Sequence, residues 1–133
     1  MTGRQPPYVL LIEDNPLDVF LLETAFELAH VQVDLEVAQD GAAGLEVLEA
    51  ACRDNRLPKM VILDYNMPKL NGAEVLTRLR QDERLSELKV VMLTTSRSHE
   101  AQIRALRADD YLIKPEGVDA AQAVALKLAA HWQ

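Results

Sequence analysis

The feature that most constrains the fold is a regular alternation of short apolar runs with longer amphipathic stretches. Five runs are apolar or alternate apolar with polar residues, which indicates strands: Tyr8 to Glu13, Val33 to Ala38, Met60 to Asp64, Lys89 to Leu93 and Asp110 to Ile113. After each run, apolar residues recur three and four positions apart, which indicates a helix. Strands that alternate with helices require right-handed crossovers and form a parallel sheet with helices on both faces. The sequence therefore predicts a doubly wound α/β domain.

Helix-start signals agree with this alternation. Three pairs of residues have the spacing of a capping residue and its partner: Asn15 before Pro16, Asn71 with Glu74, and Asp119 with Gln122. They predict the beginnings of the first, third and fifth helices.

Composition excludes several classes of protein. At 133 residues the chain is expected to form one domain. Its 21 acidic and 14 basic residues give a formal charge of −7, which repels phosphate backbones and anionic lipid, so we expect no nucleic acid and no membrane among its partners. The one cysteine, Cys52, cannot form an internal disulfide, and residues 1–7 lack the apolar segment of a signal peptide. We expect a cytoplasmic protein with a flexible N-terminus at residues 1–7.

Polar residues follow the predicted strands at the edge where open parallel sheets bind their ligands. They are Glu13 and Asp14 after the first strand, Asp64 at the end of the third, Thr94 after the fourth and Lys114 after the fifth. Each has an ordinary structural explanation taken alone: Asp14 caps a helix, Thr94 satisfies a turn, and Lys114 is a solvated charge. Together they predict a functional site, because all of them meet at one sheet edge.

The chemistry of this set favours a metal and a phosphoryl group. Three carboxylates at one edge repel one another unless a cation lies among them, and so small a set of oxygen ligands suits Mg²⁺. A carboxylate can also be a nucleophile that forms an aspartyl phosphate when a metal and a lysine neutralise the phosphoryl oxygens. This hypothesis explains Asp64 at the tip of a buried strand, with Thr94 and Lys114 able to reach the same group.

Four segments in this order resemble the response-regulator receiver domain of two-component signalling: LLIEDNPLD, VILDYNMPKLNG, VVMLTTS and DYLIKP. The resemblance covers residues 8–133 and implies a flavodoxin-like receiver fold, with a five-stranded parallel sheet in the order 2-1-3-4-5 and five helices. It assigns Mg²⁺ binding to Glu13, Asp14, Asp64 and the backbone carbonyl of Asn66, and phosphate acceptance to Asp64. It also assigns the switch hydroxyl to Thr94, the switch aromatic to Tyr111, the phosphoryl-pairing lysine to Lys114, and a cis peptide bond to Lys114 and Pro115.

The finer likeness is to single-domain regulators paired with phytochrome-type sensor kinases. We expect a sensor histidine kinase to donate the phosphoryl group, and helix four, strand five and helix five to pass the signal to an unknown protein by contact. The protein is then a phosphoryl acceptor and not a turnover enzyme. Two features depart from the family pattern: the segment between Thr94 and Lys114 is short, and Arg107 stands where the family usually has glycine. Both predict a shortened or reshaped helix four.

Three alternatives compete with this interpretation. A haloacid dehalogenase-type phosphatase also phosphorylates a strand-end aspartate, but it needs a second aspartate two residues on, where this chain has Asn66. A nucleotide-binding domain would need a glycine-rich loop after the first strand, and this chain has no glycine there. A degenerate receiver that only binds proteins is disfavoured by the presence of Asp64, Thr94 and Lys114.

The C-terminal helix predicts a homodimer. Its core-facing row is expected to contain Ala120, Val124, Leu128 and Trp132, which leaves Ala123, Leu126 and Ala130 off that row. A surface helix of a monomer normally has a wider polar face. The alternative is that alanine, a weak hydrophobic signal, is simply tolerated on an exposed surface.

Overall fold

Strands and helices alternate five times along the chain, and the strands form one parallel sheet. A computed structural model describes residues 5–133. The strands are β1 (Tyr8–Ile12), β2 (Asp34–Ala38), β3 (Met60–Asp64), β4 (Val90–Thr94) and β5 (Asp110–Ile113). The helices are α1 (Pro16–Leu28), α2 (Gly41–Arg53), α3 (Gly72–Gln81), α4 (Glu100–Ala105) and α5 (Val118–Ala130). The strand order is β2-β1-β3-β4-β5, which confirms the predicted fold class and order.

The predicted flexible N-terminus lies partly outside the described residues, which begin at residue 5. Residues 5–7 form no helix or strand. The carbonyl oxygen of Pro7 accepts a hydrogen bond from the backbone N–H of Asp34 at 2.8 Å, and this bond extends the pairing between β1 and β2.

The hydrophobic core lies on both faces of the sheet because the two central strands are buried along their whole length. Every residue of β3 and of β4 is buried. Successive side chains of a strand point to opposite faces, so Val61 and Leu63 pack with α2, α3 and α4, whereas Met60 and Ile62 pack with α1 and α5. Burying each large aliphatic side chain contributes about 1.5–3 kcal/mol. Asp64 therefore ends a strand that is held rigidly on both sides.

Helix α3 begins directly against the end of β3. Its predicted capping box is confirmed: Asn71 accepts from the backbone N–H of Glu74 at 3.0 Å, and Glu74 accepts from the backbone N–H of Asn71 at 3.2 Å. A Cβ atom on Gly72 would lie 2.7 Å from the carbonyl oxygen of Asp64. Only glycine allows this approach, so the helix start fixes the backbone around Asp64.

Helix α4 has six residues, as the short segment between Thr94 and Lys114 predicted. It ends in a Schellman motif, with hydrogen bonds from the N–H of Arg107 to the carbonyl of Arg104 and from the N–H of Ala108 to that of Ile103. Arg107 lies in the left-handed region at φ 70°. This is the conformation that glycine adopts without strain, which explains why the family usually has glycine here. The Arg80 side chain donates to the carbonyl of Arg107 and holds it in place.

Helix α5 differs from its prediction at its start and on its core-facing row. Gly117 is the N-cap and no side chain caps the helix, so the capping box of Asp119 with Gln122 is wrong. Ala121 is buried and Ala120 is exposed, whereas Val124 and Leu128 face the core as expected. The helices reach at most 13 residues, and in the described part of the chain none is long and apolar enough to cross a membrane.

Candidate active site

The carboxyl ends of β1, β3 and β5 bring Glu13, Asp64 and Lys114 together at one edge of the sheet. Ile12 pairs with Leu63 in the parallel register of β1 and β3, so the next residues, Glu13 and Asp64, lie side by side. The Lys114 Nζ atom lies 3.0 Å from Glu13 Oε1 and 3.1 Å from Asp64 Oδ1. Asp14 joins them, since one carboxylate oxygen from each of Glu13, Asp14 and Asp64 lies within 4.8 Å of the others. The convergence predicted from the sequence is therefore present for these four residues.

Asp64 is completely buried, and its two carboxylate oxygens differ. The Oδ1 atom accepts from the backbone N–H of Asn66 at 3.0 Å and contacts Lys114. The buried Oδ2 atom has no hydrogen-bond partner among the described residues. A buried acceptor without a partner costs about 1–3 kcal/mol, more when it is charged. Since the carboxylate of exposed Asp14 lies close to that of Asp64, the unpaired Oδ2 atom fits the ligand position of a divalent cation that approaches from solvent.

The electrostatics of the site also call for a cation. Burial, together with the adjacent carboxylate of Asp64, raises the pKa of Glu13 from 4.5 to about 8. Burial likewise raises the pKa of Asp64, although the backbone N–H of Asn66 and the charge of Lys114 oppose the change. Burial alone would lower the pKa of Lys114, but the hydrogen bond to Asp18 and the charge of Asp64 raise it above its ordinary value. A divalent cation would allow both buried carboxylates to ionise.

Asp18 belongs to this cluster and was missed by the sequence analysis. Its Oδ2 atom lies 2.8 Å from Lys114 Nζ, which is the shortest of the lysine's contacts with carboxylates. Asp18 stands in the first turn of α1, and that helix begins just after Glu13 and Asp14. The signal was present as a third acid in the segment EDNPLD, but an acid in the first turn of a helix has an ordinary role at the helix dipole.

Comparison with known proteins gives the family. The model of the response regulator receiver domain matches residues 9–125. The chain belongs to the response-regulator receiver family. It is 35% identical over 135 residues to the probable methanogenesis regulatory protein FilR2 of Methanothrix harundinacea, a match that covers 99% of this chain and 87% of FilR2.

Solved structures of other receivers resemble this one closely. The Mn²⁺-bound form of the response regulator Rcp1 superposes with a TM-score of 0.81 at 27% identity, covering 96% of this chain and 94% of that one. In sequence, Rcp1 of Synechocystis is 30% identical over 116 residues, covering 84% of this chain and 79% of Rcp1. The bacteriophytochrome response regulator AtBRR superposes with a TM-score of 0.76 at 32% identity, covering 93% of this chain and 92% of AtBRR. The likeness to regulators of phytochrome-type systems is therefore confirmed.

In this receiver the predicted switch residues, Thr94 and Tyr111, meet at Ser96. Thr94 is buried, and its Oγ1 atom accepts from the backbone N–H of Ser96 at 3.5 Å. Tyr111 is also buried, and its hydroxyl donates to the carbonyl of Ser96. The hydroxyl of Thr94 makes no hydrogen bond with the side chain of Asp64 or of Lys114 in the described structure. The two predicted switch residues thus hold the same loop between β4 and α4, while the hydroxyl of Thr94 does not contact Asp64 through a hydrogen bond.

Two further contacts join the loop after β3 to the loop after β4. The Asn66 Oδ1 atom accepts from the backbone N–H and the hydroxyl of Thr95, each at 3.3 Å. The Tyr65 ring stacks on His99 with 4.7 Å between centroids. No local pattern in the sequence relates His99 to Tyr65, because the two residues are far apart in the chain. The metal-binding role of the Asn66 carbonyl stays a prediction.

The cis peptide bond expected at Lys114 and Pro115 is wrong for this structure. No cis peptide bond occurs among the described residues, so the Lys114–Pro115 bond is trans. The trans form is favoured at bonds to proline by about 0.5–1 kcal/mol. With this bond trans, the Lys114 N–H donates to the Thr94 carbonyl at 2.7 Å and the side chain still reaches Asp64.

Proposed function

We propose that this receiver accepts a phosphoryl group on Asp64 from a phosphohistidine of a sensor histidine kinase, with Mg²⁺ bound. The observation that carries the proposal is the buried Oδ2 atom of Asp64, which has no hydrogen-bond partner among the described residues, beside a second acid and a lysine. Family membership supports it, because receivers are signalling domains.

Mg²⁺ would be held by Glu13, Asp14 and Asp64, with the backbone carbonyl of Asn66 as a further ligand. The bound ion would supply positive charge to the phosphoryl oxygens and to the crowded carboxylates. The Mn²⁺-bound form of Rcp1 supports a divalent metal in a receiver of this kind. The choice of Mg²⁺ follows from the oxygen-only donor set.

The chain's own residues account for the transfer. A carboxylate oxygen of Asp64 forms a bond to phosphorus while the bond between phosphorus and the kinase imidazole nitrogen breaks, and the electron pair of that bond returns to the imidazole. Burial on a rigid strand fixes the direction of attack. Lys114 neutralises charge on the phosphoryl oxygens. The protein is an acceptor in this reaction and does not turn over a substrate.

The switch then runs from Thr94 to the surface. The phosphoryl dianion draws the Thr94 hydroxyl towards it, which removes the contact between Thr94 and Ser96. Since Tyr111 holds the carbonyl of Ser96, the loop and the aromatic ring rearrange together. The change reaches α4, β5 and α5, and a downstream protein reads it by contact in the cytoplasm. The similarity to AtBRR supports a kinase of the phytochrome type.

Phosphorylation is tested with acetyl phosphate and Mg²⁺, followed by intact-mass spectrometry. We expect the mass of one phosphoryl group on the wild type and none on Asp64→Asn, with peptide mapping to Asp64. Equal labelling of the variant would contradict the assignment. Sustained hydrolysis of phosphomonoesters would instead favour the phosphatase alternative, and no labelling at all would favour a degenerate receiver.

We also propose a homodimer through α5. Leu126 is 57% exposed at the centre of a surface that includes the exposed alanines Ala120, Ala123 and Ala130. A twofold contact would bury both copies of Leu126. Trp132 no longer supports this interface, because its ring packs on that of Phe26 of α1, with 5.8 Å between the ring centroids.

Sedimentation equilibrium tests the dimer. We expect the wild type to have a dimer mass that Leu126→Glu reduces to a monomer mass. The matched control is Leu17→Glu, which places the same charge on an exposed leucine of α1 and should leave the dimer intact. A monomeric wild type, or a dimer that survives Leu126→Glu, would refute this interface.

A further inference from the structure

The Lys114 ammonium group has three N–H donors and three carboxylates within reach. Its Nζ atom lies 2.8 Å from Asp18 Oδ2, 3.0 Å from Glu13 Oε1 and 3.1 Å from Asp64 Oδ1. The lysine side chain is largely buried, with 12% of its surface exposed. The ammonium group donates hydrogen bonds to Asp18 and Glu13 and forms an ion pair with Asp64, and such charge-assisted contacts fix the orientation of the group.

Local capping does not explain the position of Asp18. An acid at the third position of a helix commonly accepts a hydrogen bond from the N-cap N–H. Here the N-cap is Asn15, and its backbone N–H donates to Glu13 Oε2 at 3.2 Å. The Asp18 carboxylate points instead to Lys114, at the opposite end of the chain.

Asp18 differs from the other two acceptors of Lys114 in what the reaction does to it. Asp64 becomes an acyl phosphate in the proposed function, and its carboxylate charge is replaced by that of the phosphoryl group. Glu13 is a candidate metal ligand, so its charge would be shared with a cation. Asp18 takes part in neither step, and it stands on α1, which packs against α5. It is therefore the acceptor that stays available to Lys114 throughout.

We propose that Asp18 is a positioning residue that anchors Lys114 so that its ammonium group faces the phosphoryl-accepting oxygen of Asp64. This inference rests on the proposed function, since it concerns the same reaction. Without the anchor, Lys114 turns to the remaining carboxylates, Glu13 and Asp64, and its charge competes with the divalent cation. Both effects slow phosphorylation, although Asp18 touches neither the phosphoryl group nor the metal.

The first measurement follows the Lys114 ammonium group itself, in unphosphorylated protein without metal. A buried ammonium group that is held by carboxylates exchanges its protons slowly, and its ¹⁵N signal is then visible by NMR. We expect the signal in the wild type, its loss in Asp18→Asn and its recovery in Asp18→Glu. Glu23→Gln is the matched control, because it removes the same charge from an exposed position of α1 and should keep the signal.

The second measurement is the rate of labelling by acetyl phosphate as a function of donor concentration. Loss of a hydrogen bond between charged groups predicts a roughly tenfold lower maximal rate for Asp18→Asn. The half-saturating donor concentration should change little, and Glu23→Gln should behave as wild type. In a Lys114→Gln background, Asp18→Asn should cause no further loss, because Asp18 acts through the lysine.

The outcomes separate this inference from the proposed function. An unlabelled wild type would overturn the proposed function and the role of Asp18 with it. A labelled wild type with an unaffected Asp18→Asn variant, or with additive losses in the double variant, would overturn the positioning role alone. Persistence of the Lys114 ¹⁵N signal in Asp18→Asn would also overturn the positioning role of Asp18.

Discussion

Metal-free protein should lose stability as the pH rises from about 5 to about 8.5, because Glu13 and Asp64 are buried side by side. The pKa of Glu13 is raised from 4.5 to about 8, mainly by burial. The folded state therefore holds a proton that the unfolded chain releases near pH 4.5, and the free energy of unfolding falls as the pH rises towards the folded pKa. For the Glu13 proton, each pH unit in that window changes the free energy of unfolding by at most about 1.4 kcal/mol.

The window between those two pKa values gives an upper limit of about 5 kcal/mol for the part of this loss that comes from Glu13. This loss of stability is not offset by the carboxyl groups whose pKa values are lowered, which are those of Glu49, Asp82, Glu100 and Asp110. Their contribution is lost only as the pH falls below the unfolded values near 4. The raised pKa of Lys114 matters only in alkali, above the same range. The pH dependence in this window therefore reports the buried pair.

Urea unfolding in a chelator, followed by Trp132 fluorescence, measures the effect. The urea midpoint of the wild type should fall between about pH 5 and about pH 8.5. Adding Mg²⁺ should restore it at the higher pH by binding the folded state. The variant Asp64→Asn should have a flatter profile and exceed the metal-free wild type at the higher pH, because one charge of the pair is gone. A wild type that is equally stable across the range, or an Asp64→Asn profile as steep as the wild type, would refute this reasoning.

Three further predictions concern single residues. Asp14→Asn should weaken Mg²⁺ binding, as measured by calorimetry, and nearly abolish labelling, while its melting temperature should be no lower than that of the wild type. An unchanged Mg²⁺ affinity would leave Asp14 with a structural role only. Thr94→Ala should accept phosphate yet lack the chemical-shift changes that beryllofluoride produces in α4 and β5, and a wild-type shift pattern would mean that the coupling runs elsewhere. Arg107→Gly should raise the free energy of unfolding by about 0.5–1 kcal/mol, because φ 70° strains a residue with a Cβ; no gain over Arg107→Ala would contradict that strain.

The parts of the fold that the sequence predicted correctly depend on local signals. The alternation of strands and helices and the caps at Asn15 and Asn71 are encoded by neighbouring residues. The start of α5 was mispredicted because Asp119 has the spacing of a capping residue, while the chain already turns into the helix at Gly117. The core-facing row of α5 was displaced by one residue at Ala120, since alanine carries little information about which side of a helix is buried.

The sequence by itself determined the edge of the sheet at which the site forms, because parallel strands bring their carboxyl ends together wherever they lie in the chain. It therefore identified Glu13, Asp14, Asp64 and Lys114 as neighbours. Only the tertiary structure decided that Lys114 contacts Asp18 in addition to Glu13 and Asp64. Asp18 and Lys114 are 96 residues apart, and they meet because α1 begins at the edge of the sheet where Lys114 follows β5. Local periodicity says which side of a helix is buried, but the distance between two side chains on different elements depends on how those elements pack.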